Sequence, residues 1–289
     1  MTITLTPLSH WPFRLWREHP RSVSIALIGG AVVIFAIVFA VVLAGLLATH
    51  DPLKISADRL KSPSLKHFMG TDRLGRDVFS RVLHGGRVSL TASGLAMTIS
   101  LPIALLLGLL SGYTGGNFDR VLRTIMDALY GFPPFLMTLA FIFVLGPGLV
   151  NVALSASIAW IPTYFRFSRS LCIKARENLY VEAAMVMGAK RLYIVARHIL
   201  PHVIPQVIVF STVVYARILI TVSSLCFLGV GIPAPTPEWG SDLALGLLVM
   251  STGAWWQIFF PGTMLFTTAL SLNMIGESLT TIMSARKIT

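Results

Sequence analysis

The segment from Tyr180 to Pro201 combines residue types that suit contact with another protein. It reads YVEAAMVMGAKRLYIVARHILP and is a polar, basic stretch between two long apolar runs. Residues 180–187 can form a short helix, in which the carboxylate of Glu182 lies near the positive helix end. Gly188 can adopt a positive φ and reverse the chain. The pattern therefore predicts a helix, a glycine turn and a second helix over 190–200.

Small side chains make this helix–glycine–helix unit suitable for close docking. Ala183 and Ala184 allow the surface of another protein to approach closely, and Pro201, which follows Leu200, is placed to begin the next apolar helix. Such a unit can insert into a groove on the surface of a soluble partner protein. An ordinary loop with an interfacial helix fits the same spacing, and spacing alone does not decide between the two.

The sequence lacks the short motifs of catalysis and nucleotide binding. It contains no G-x-x-x-x-G-K-[ST], H-E-x-x-H or G-x-S-x-G, and no cysteine pair at zinc spacing. The seven histidines are scattered over loops and helix ends, so we predict no metal site. Cys172 and Cys226 are predicted to be small buried hydrophobic residues. We therefore expect a chain that is not an enzyme and binds no cofactor itself.

Composition identifies the elements that must position this segment. Of the 289 residues, 55% are hydrophobic and only 12% are charged, whereas soluble domains have about 25% charged residues. The chain is therefore predicted to be an all-α integral membrane protein. Its net charge of +11 is concentrated at helix ends and in loops, which suits topology signals and lipid headgroups rather than nucleic acid.

Six apolar stretches are long enough to cross a bilayer, which needs about 20 residues per helix. The first, which is uncharged from Val23 to Thr49, exceeds the length of a signal-peptide core and has no small-residue cleavage site, so we interpret it as a retained span. Gly146-Pro147-Gly148 is predicted to be a tight turn between the third and fourth spans. The predicted spans lie near 23–48, 89–112, 124–146, 149–170, 203–229 and 254–281.

The distribution of Lys and Arg favours a cytoplasmic N-terminus and C-terminus. In that orientation, fourteen of the 23 basic residues lie in cytoplasmic segments, whereas the turn near 147 and the loop over 230–253 hold none. The exception is the loop between the first two spans, which holds eight basic residues.

The docking segment resembles a known family. E-A-A-x3-G followed by a hydrophobic-Leu-Pro end is similar to the coupling loop of ABC-importer permeases. His198 stands where the general motif has Ile, but R-H-I-L-P is a familiar variant in the peptide-importer branch. The stretch GTDRLGRDVFSR from Gly70 resembles the C-type permease subunit of the dipeptide, oligopeptide and nickel importers.

The residues of this second motif also have a physical interpretation. Gly70 and Gly75 are predicted to form turns, and Thr71 or Asp72 to cap a following helix. Residues 76–87 are expected to lie along the membrane interface, with their basic side chains reaching toward water. A gate or a contact with a partner permease is the functional alternative.

A third family-like motif places charges beside a span. The run GGNFD followed by Arg123, Asp127 and Pro133 resembles the G-G-x-x-D…R-x-x-x-D…P segment of the same permeases. Asp119, Arg123 and Asp127 are spaced by four residues, which predicts a charge ladder on one helix face. Arg123 and Asp127 are also candidate residues of a translocation path or gate.

Two further regions supply candidate residues. The run LCFLGVGIPAPTPEWG resembles an outward-facing segment of the family, in which Glu238 and Trp239 are candidates for contact with a solute-binding protein. A stiff hairpin cap is the alternative. Arg217 lies in the middle of the fifth predicted span, where an arginine must face protein or water. A peptide carboxylate is one candidate partner for Arg217, and a carboxylate of a second permease subunit is another. In the last span, Glu277 and Thr280 depart from the usual Asp and Arg.

The resemblance implies a type I ABC-importer transmembrane domain over 68–289, with a coupling loop at about 172–201. Before it come a cytoplasmic segment, 1–22, and the first span with the start of an external loop, 23–67. The implied partners are a second permease subunit, two subunits that bind ATP and Mg, an extracytoplasmic solute-binding protein and the lipid bilayer of the bacterial inner membrane. The residues that would couple to the ATPases are Glu182, Ala183, Ala184, Gly188, Leu200 and Pro201.

Peptides are the leading cargo class, with nickel or another small solute as the alternative. An ion-driven secondary transporter would need intramembrane acids and often shows inverted repeats, which the sequence does not clearly have. An intramembrane enzyme would need a nucleophile–base pair or a metal motif, which we do not find.

Overall fold

The computed structural model describes residues 20–285, and this range folds as helices joined by turns and one long loop. Most of the predicted cytoplasmic segment, 1–22, lies outside the described residues, as do residues 286–289. The helices are α1 (Pro20–Val42), α2 (Ala44–Leu47), α3 (Val78–Thr114), α4 (Gly116–Tyr130), α5 (Pro134–Leu145), α6 (Leu149–Arg176), α7 (Leu179–Val186), α8 (Arg191–Ile194), α9 (Leu200–Phe227), α10 (Trp239–Leu247) and α11 (Trp256–Ala285). A π-helical turn (Val195–Ile199) joins α8 to α9, and a 3₁₀ turn (Met250–Thr252) precedes α11.

Four of these helical segments are long and apolar enough to cross a membrane, and the bent pair α4–α5 is a fifth candidate if its two helices are counted together. They correspond to five of the six predicted spans. The remaining prediction, 149–170, lies on α6, which is not among the five. Serines 155, 157 and 168 of α6 are buried against other helices. Because α6 is enclosed by protein along much of its length, it does not need the composition of a lipid-facing helix.

The third predicted span, 124–146, is wrong as one continuous helix. α4 ends at Tyr130, α5 begins at Pro134, and the two are bent by 90° at the break between them. Pro133 and Pro134 explain the break, because each lacks an N–H and each disfavours the helical conformation in the residue before it. The predicted span is therefore divided between α4 and α5, and α5 with its 12 residues is too short to cross a bilayer alone.

Helices α3 and α6 pack with their backbones in close contact. A Cβ atom added to Gly108 would lie 2.0 Å from Ser168 Oγ, and one added to Gly112 would lie 2.9 Å from the carbonyl oxygen of Arg169. Small residues at such positions let membrane helices approach closely and gain van der Waals contact. This pair forms the centre of the bundle, and both helices end beside the predicted docking segment.

The start of α3 differs from the prediction. Gly70 and Gly75 have positive φ and form turns as expected. The helix is capped, however, by Asp77 rather than by Thr71 or Asp72, because the Asp77 carboxylate accepts a hydrogen bond of 2.8 Å from Ser80 N. The helix also begins eleven residues before the predicted span at 89, so the predicted interfacial stretch is part of α3 itself.

The basic residues of this stretch face protein rather than the membrane interface. Arg76 and Arg81 are buried, the first paired with Asp72 at 2.6 Å and the second paired with Asp242 of α10. Arg87 is exposed but donates a hydrogen bond of 2.8 Å to the carbonyl oxygen of Val41. Several basic residues between the first two spans therefore form ion pairs and hydrogen bonds within the protein. A count of charges does not reveal these contacts.

Candidate functional site

The predicted docking unit is well defined in the structure. α7 ends in a glycine turn in which Gly188 has a φ of +78°. The N–H of Gly188 donates to the Met185 carbonyl at 3.0 Å, and the N–H of Ala189 donates to the Ala184 carbonyl at 3.1 Å. These are the two bonds of a Schellman motif, which requires the left-handed conformation at the glycine. The predicted role of Gly188 in reversing the chain is therefore confirmed. We call α7, this turn, α8 and the π-helical turn together the 179–199 segment.

The inner face of the 179–199 segment is fixed to the bundle. Val181, Ala184, Ile194 and Ile199 are buried, and they pack with apolar residues near the ends of α3 and α6, including Leu109, Tyr113, Leu171, Cys172 and Ala175. Arg176 also donates a hydrogen bond of 3.0 Å to the Tyr113 carbonyl. The expectation that both Ala183 and Ala184 lie on the docking surface is half wrong, because Ala183 is exposed and Ala184 belongs to this core.

The outer face of the same segment is apolar and exposed. Its largest side chains are open to solvent over most of their surface: 81% for Leu179, 83% for Val186, 80% for Met187 and 72% for Leu192. Glu182 is exposed beside them. Large exposed apolar side chains on a segment that is packed against the protein core are typical of a protein-interaction site.

The segment continues directly into the membrane. Residues Arg191–Phe227 form one uninterrupted helical stretch that passes through the π-helical turn. Leu200 N donates to the Val195 carbonyl, an i to i+5 bond, and the wider turn precedes Pro201, which has no N–H to donate. Leu200 is half-buried and Pro201 is exposed at the start of α9, as its predicted position requires. No loop separates α8 from α9, whereas the turn at Gly188 lies between α7 and α8.

The predicted charge ladder on α4 does not form. Asp119 pairs instead with Arg169 of α6, which donates through Nε at 2.5 Å and Nη2 at 2.6 Å. Asp127 lies 3.8 Å from Arg166, also on α6. Arg123 is exposed and makes no ion pair within the described part of the chain. The acids thus connect α4 to α6, because the facing arginines are closer partners than the residue between them.

Arg217 lies on the exposed face of α9, near Ile220, about two-thirds of the way along the helix. Within residues 20–285 its side chain forms no salt bridge. The neighbouring residues Ile218 and Leu219 are fully buried, so α9 packs on one side and presents Arg217 on the other. A charged group at this depth needs a polar partner from outside the chain, from water or from a transported molecule.

The expectation that Glu238 and Trp239 contact an external partner is contradicted, since both are completely buried. The Glu238 carboxylate accepts hydrogen bonds from Ser89 Oγ at 2.8 Å, Ser223 Oγ at 3.0 Å and Ser241 N at 2.8 Å. Burial raises the pKa of Glu238. Trp239 Nε1 donates to the Val82 carbonyl at 2.9 Å. The two residues fix α10 against α3 and α9.

The structure brings together two of the histidines that are scattered in the sequence. His50, His67 and Asp77 lie together at the start of α3, with one potential ligand atom of each within 4.8 Å of the others. Nothing in the local sequence pattern indicated this cluster, because its members are separated by 17 and 10 residues in a loop without regular structure.

This helical bundle with an exposed helix–glycine–helix segment belongs to a known family. Residues 104–289 match the family described as the inner membrane component of binding-protein-dependent transport systems. The match covers more than half of the chain, so the protein belongs to this family. It is a multi-pass inner-membrane permease subunit of an ABC transporter.

Individual relatives are similar over most of their length. The probable D,D-dipeptide transport system permease protein DdpC of Escherichia coli K12 is 36% identical over 86% of this chain and 84% of its own length. The dipeptide permease DppC of Alkalihalophilus pseudofirmus is 34% identical over 91% and 88%. The glutathione permease GsiD of Pectobacterium atrosepticum is 35% identical over 93% and 89%.

Proposed function

We propose that this chain forms half of the translocation pore of a peptide importer and transmits ATP-driven motion into that pore. The other half is a second permease subunit, and two separate subunits bind ATP and Mg. An extracytoplasmic solute-binding protein delivers the cargo. The proposal rests on one observation: the outer face of the 179–199 segment is apolar and exposed, whereas its inner face is buried against the bundle.

The coupling role rests on how the segment is connected. Its inner face packs on the ends of α3 and α6, and its C-terminal half continues into α9. A docked ATPase that moves the segment would therefore move three membrane helices. In this proposal Val186, Met187 and Leu192 enter the ATPase groove, Glu182 borders the contact, and Gly188, Leu200 and Pro201 set the path of the backbone.

The orientation follows from the same proposal. The 179–199 segment and both termini lie in the cytoplasm, in agreement with the distribution of basic residues. α3 has 37 residues, which corresponds to about 55 Å along the helix axis, so its first residues lie at the opposite membrane face. The loop over 50–77 and the turn before α10 are then on the outer side, where the solute-binding protein docks.

Peptide cargo is supported by the cargo named for the relatives and by Arg217. A guanidinium binds a carboxylate with two parallel hydrogen bonds, so Arg217 suits the C-terminus of a peptide. Arg123 and Asp127 lie on the α4 surface and are candidates for the cytoplasmic exit of the same path. A nickel ion offers no anionic group for Arg217, which favours the peptide over the metal.

The test is Val186→Asp in the complete transporter, because a charge at the centre of the apolar face should prevent docking. In proteoliposomes we expect peptide uptake and binding-protein-stimulated ATPase activity to fall at least tenfold, with fewer ATPase subunits co-purifying. Leu65→Asp is the control for co-purification of the ATPase subunits only, since Leu65 is 94% exposed in the loop at the other face. Unchanged uptake and co-purification in Val186→Asp would refute the coupling role. Uptake of nickel but not of dipeptide by the wild type would refute the cargo.

A further inference from the structure

Three side chains that are good transition-metal ligands meet at the start of α3. His67 Nδ1 lies 2.9 Å from Asp77 Oδ1, and His50 Nδ1 lies 3.8 Å from the same oxygen. The two imidazole rings are stacked, with their centroids 4.7 Å apart. His50 follows α2, His67 lies in the long loop and Asp77 caps α3, so the cluster joins three separate parts of the chain.

Asp77 is held so that one of its oxygens faces the imidazoles. Its Oδ2 accepts hydrogen bonds from Ser80 N at 2.8 Å and Ser80 Oγ at 2.7 Å. These bonds fix the carboxylate and leave Oδ1 directed toward the two histidines. The residue is buried, so its position is set by the protein and not by solvent. A ligand oxygen that is held in this way by hydrogen bonds is typical of metal sites.

One ring nitrogen of His67 is buried without a hydrogen bond to the described residues. The side chain is 7% exposed, and Nε2 has no hydrogen-bond partner among the described residues. Asp58 Oδ2, a carboxylate acceptor, lies 3.7 Å from it. In metal sites a ligating histidine commonly donates its second N–H to a carboxylate. A small shift of His67 toward Asp58 would make this bond and open space between Nδ1 and Asp77.

We propose that His50, His67 and Asp77 bind one transition-metal ion of the zinc type. Nitrogen and oxygen ligands at about 2.0–2.2 Å from a tetrahedral ion lie about 3.2–3.6 Å from one another. The 2.9 and 3.8 Å separations lie on either side of that range, so small side-chain rotations complete the set. Two imidazoles and one carboxylate select Zn²⁺, Ni²⁺ or Cu²⁺ over the hard cations Mg²⁺ and Ca²⁺. The fourth position opens toward solvent beside His50, which is 34% exposed.

A bound ion ties the exit of the first span to the start of α3. Within this face of the molecule it acts as a cross-link between residue 50, the loop at 67 and the helix cap at 77. This assignment does not depend on the cargo or on the coupling role, because it uses neither the 179–199 segment nor Arg217.

The experiment uses the full-length chain with its co-purifying subunits, stripped of metal by a chelator. Zinc binding is measured by competition with a chromogenic chelator, and thermal unfolding is followed with and without added Zn²⁺. His50→Gln is the principal variant, because His50 is partly exposed and its loss leaves the cap of α3 intact. His50→Cys is the rescue, since a thiolate also ligates zinc. His84→Gln is the control, because His84 lies on α3 outside the cluster.

We expect wild type, His50→Cys and His84→Gln each to bind one zinc ion per chain. We expect His50→Gln to bind zinc at least tenfold more weakly. Zinc, but not magnesium, should raise the unfolding temperature of the first three proteins. Equal zinc affinity in wild type and His50→Gln would overturn the proposal. So would the absence of any zinc-dependent stabilisation, which would leave His67 and Asp77 as a hydrogen-bonded pair only.

Discussion

Asp119 on α4 accepts two hydrogen bonds from Arg169 on α6, at 2.5 and 2.6 Å, although the two residues are 50 positions apart. Ser111 of α3 donates a third bond of 2.5 Å to the same carboxylate. One acid therefore joins three helices at the end of the bundle nearest the 179–199 segment. Both charged side chains are mostly buried, so the pair is protected from screening.

We predict that Asp119 and Arg169 are strongly coupled in stability. A double-mutant cycle with Asp119→Ala and Arg169→Ala should give a coupling free energy of about 1–3 kcal/mol, because each single change leaves a partly buried charge unpaired. Unfolding of the purified chain in mixed detergent measures it. The matched pair is Asp127 with Arg166, which is half-exposed and 3.8 Å apart and should give about 0–1 kcal/mol. Equal coupling in the two cycles would contradict the assignment.

We predict that Gly188 tolerates asparagine but not valine. The position has a φ of +78° with open space around it, so conformation and not volume limits the side chain. Asn enters the left-handed region readily, whereas a β-branched residue there costs about 1–2 kcal/mol or more. Stimulated ATPase activity in proteoliposomes should be near wild type for Gly188→Asn and clearly reduced for Gly188→Val. If both variants behave alike, the turn is not needed for coupling.

We predict that Glu238 makes stability depend on pH. Its pKa is raised by burial above the ordinary value of 4.5, so the folded state binds the proton more tightly than the unfolded state. Stability should therefore fall as pH rises from about 4.5 through the folded pKa, and level off above it. Glu238→Gln should remove this contribution, because an amide can still accept from Ser241 N and bond to the hydroxyls of Ser89 and Ser223.

The measurement for Glu238 is thermal unfolding across that pH range. Glu182→Gln is the control, since Glu182 is exposed and should leave the profile unchanged. Glu238→Ala should be less stable than wild type at every pH, because it leaves buried donors unpaired at about 1–3 kcal/mol each. A pH profile that is the same in wild type and Glu238→Gln would show that the raised pKa does not contribute.

We predict that Arg217 recognises an anionic group on the cargo. Arg217→Gln should raise the KM for a dipeptide by about 10–100-fold, the loss expected for a hydrogen bond between charged groups. The same variant should lose any preference for a free over an amidated C-terminus. Uptake in proteoliposomes measures both effects, and Ile220→Ala on the same exposed face is the control. A variant that still discriminates the two peptides would exclude Arg217 from this role.

The parts of the fold that follow from local chemistry could be predicted from the sequence. Gly188 and Pro201 act through their own backbone properties, and the long apolar runs define most of the spans. The partners of Asp119, the burial of Glu238 and the meeting of His50 with His67 could not be predicted. Each depends on which helix or loop lies opposite, and one sequence with regular spacing carries no signal for contacts between residues so far apart.

The helical stretch from Arg191 to Phe227 has a mechanical consequence. Its 37 residues correspond to about 55 Å, and no loop interrupts it, although the π-helical turn and Pro205 lie in its first part. A tilt of about 10° around its middle would displace each end by roughly 5 Å, which is the length of one helical turn. The part after Pro205 would act as a lever arm, so that a small rotation imposed at one end of it would appear at the other.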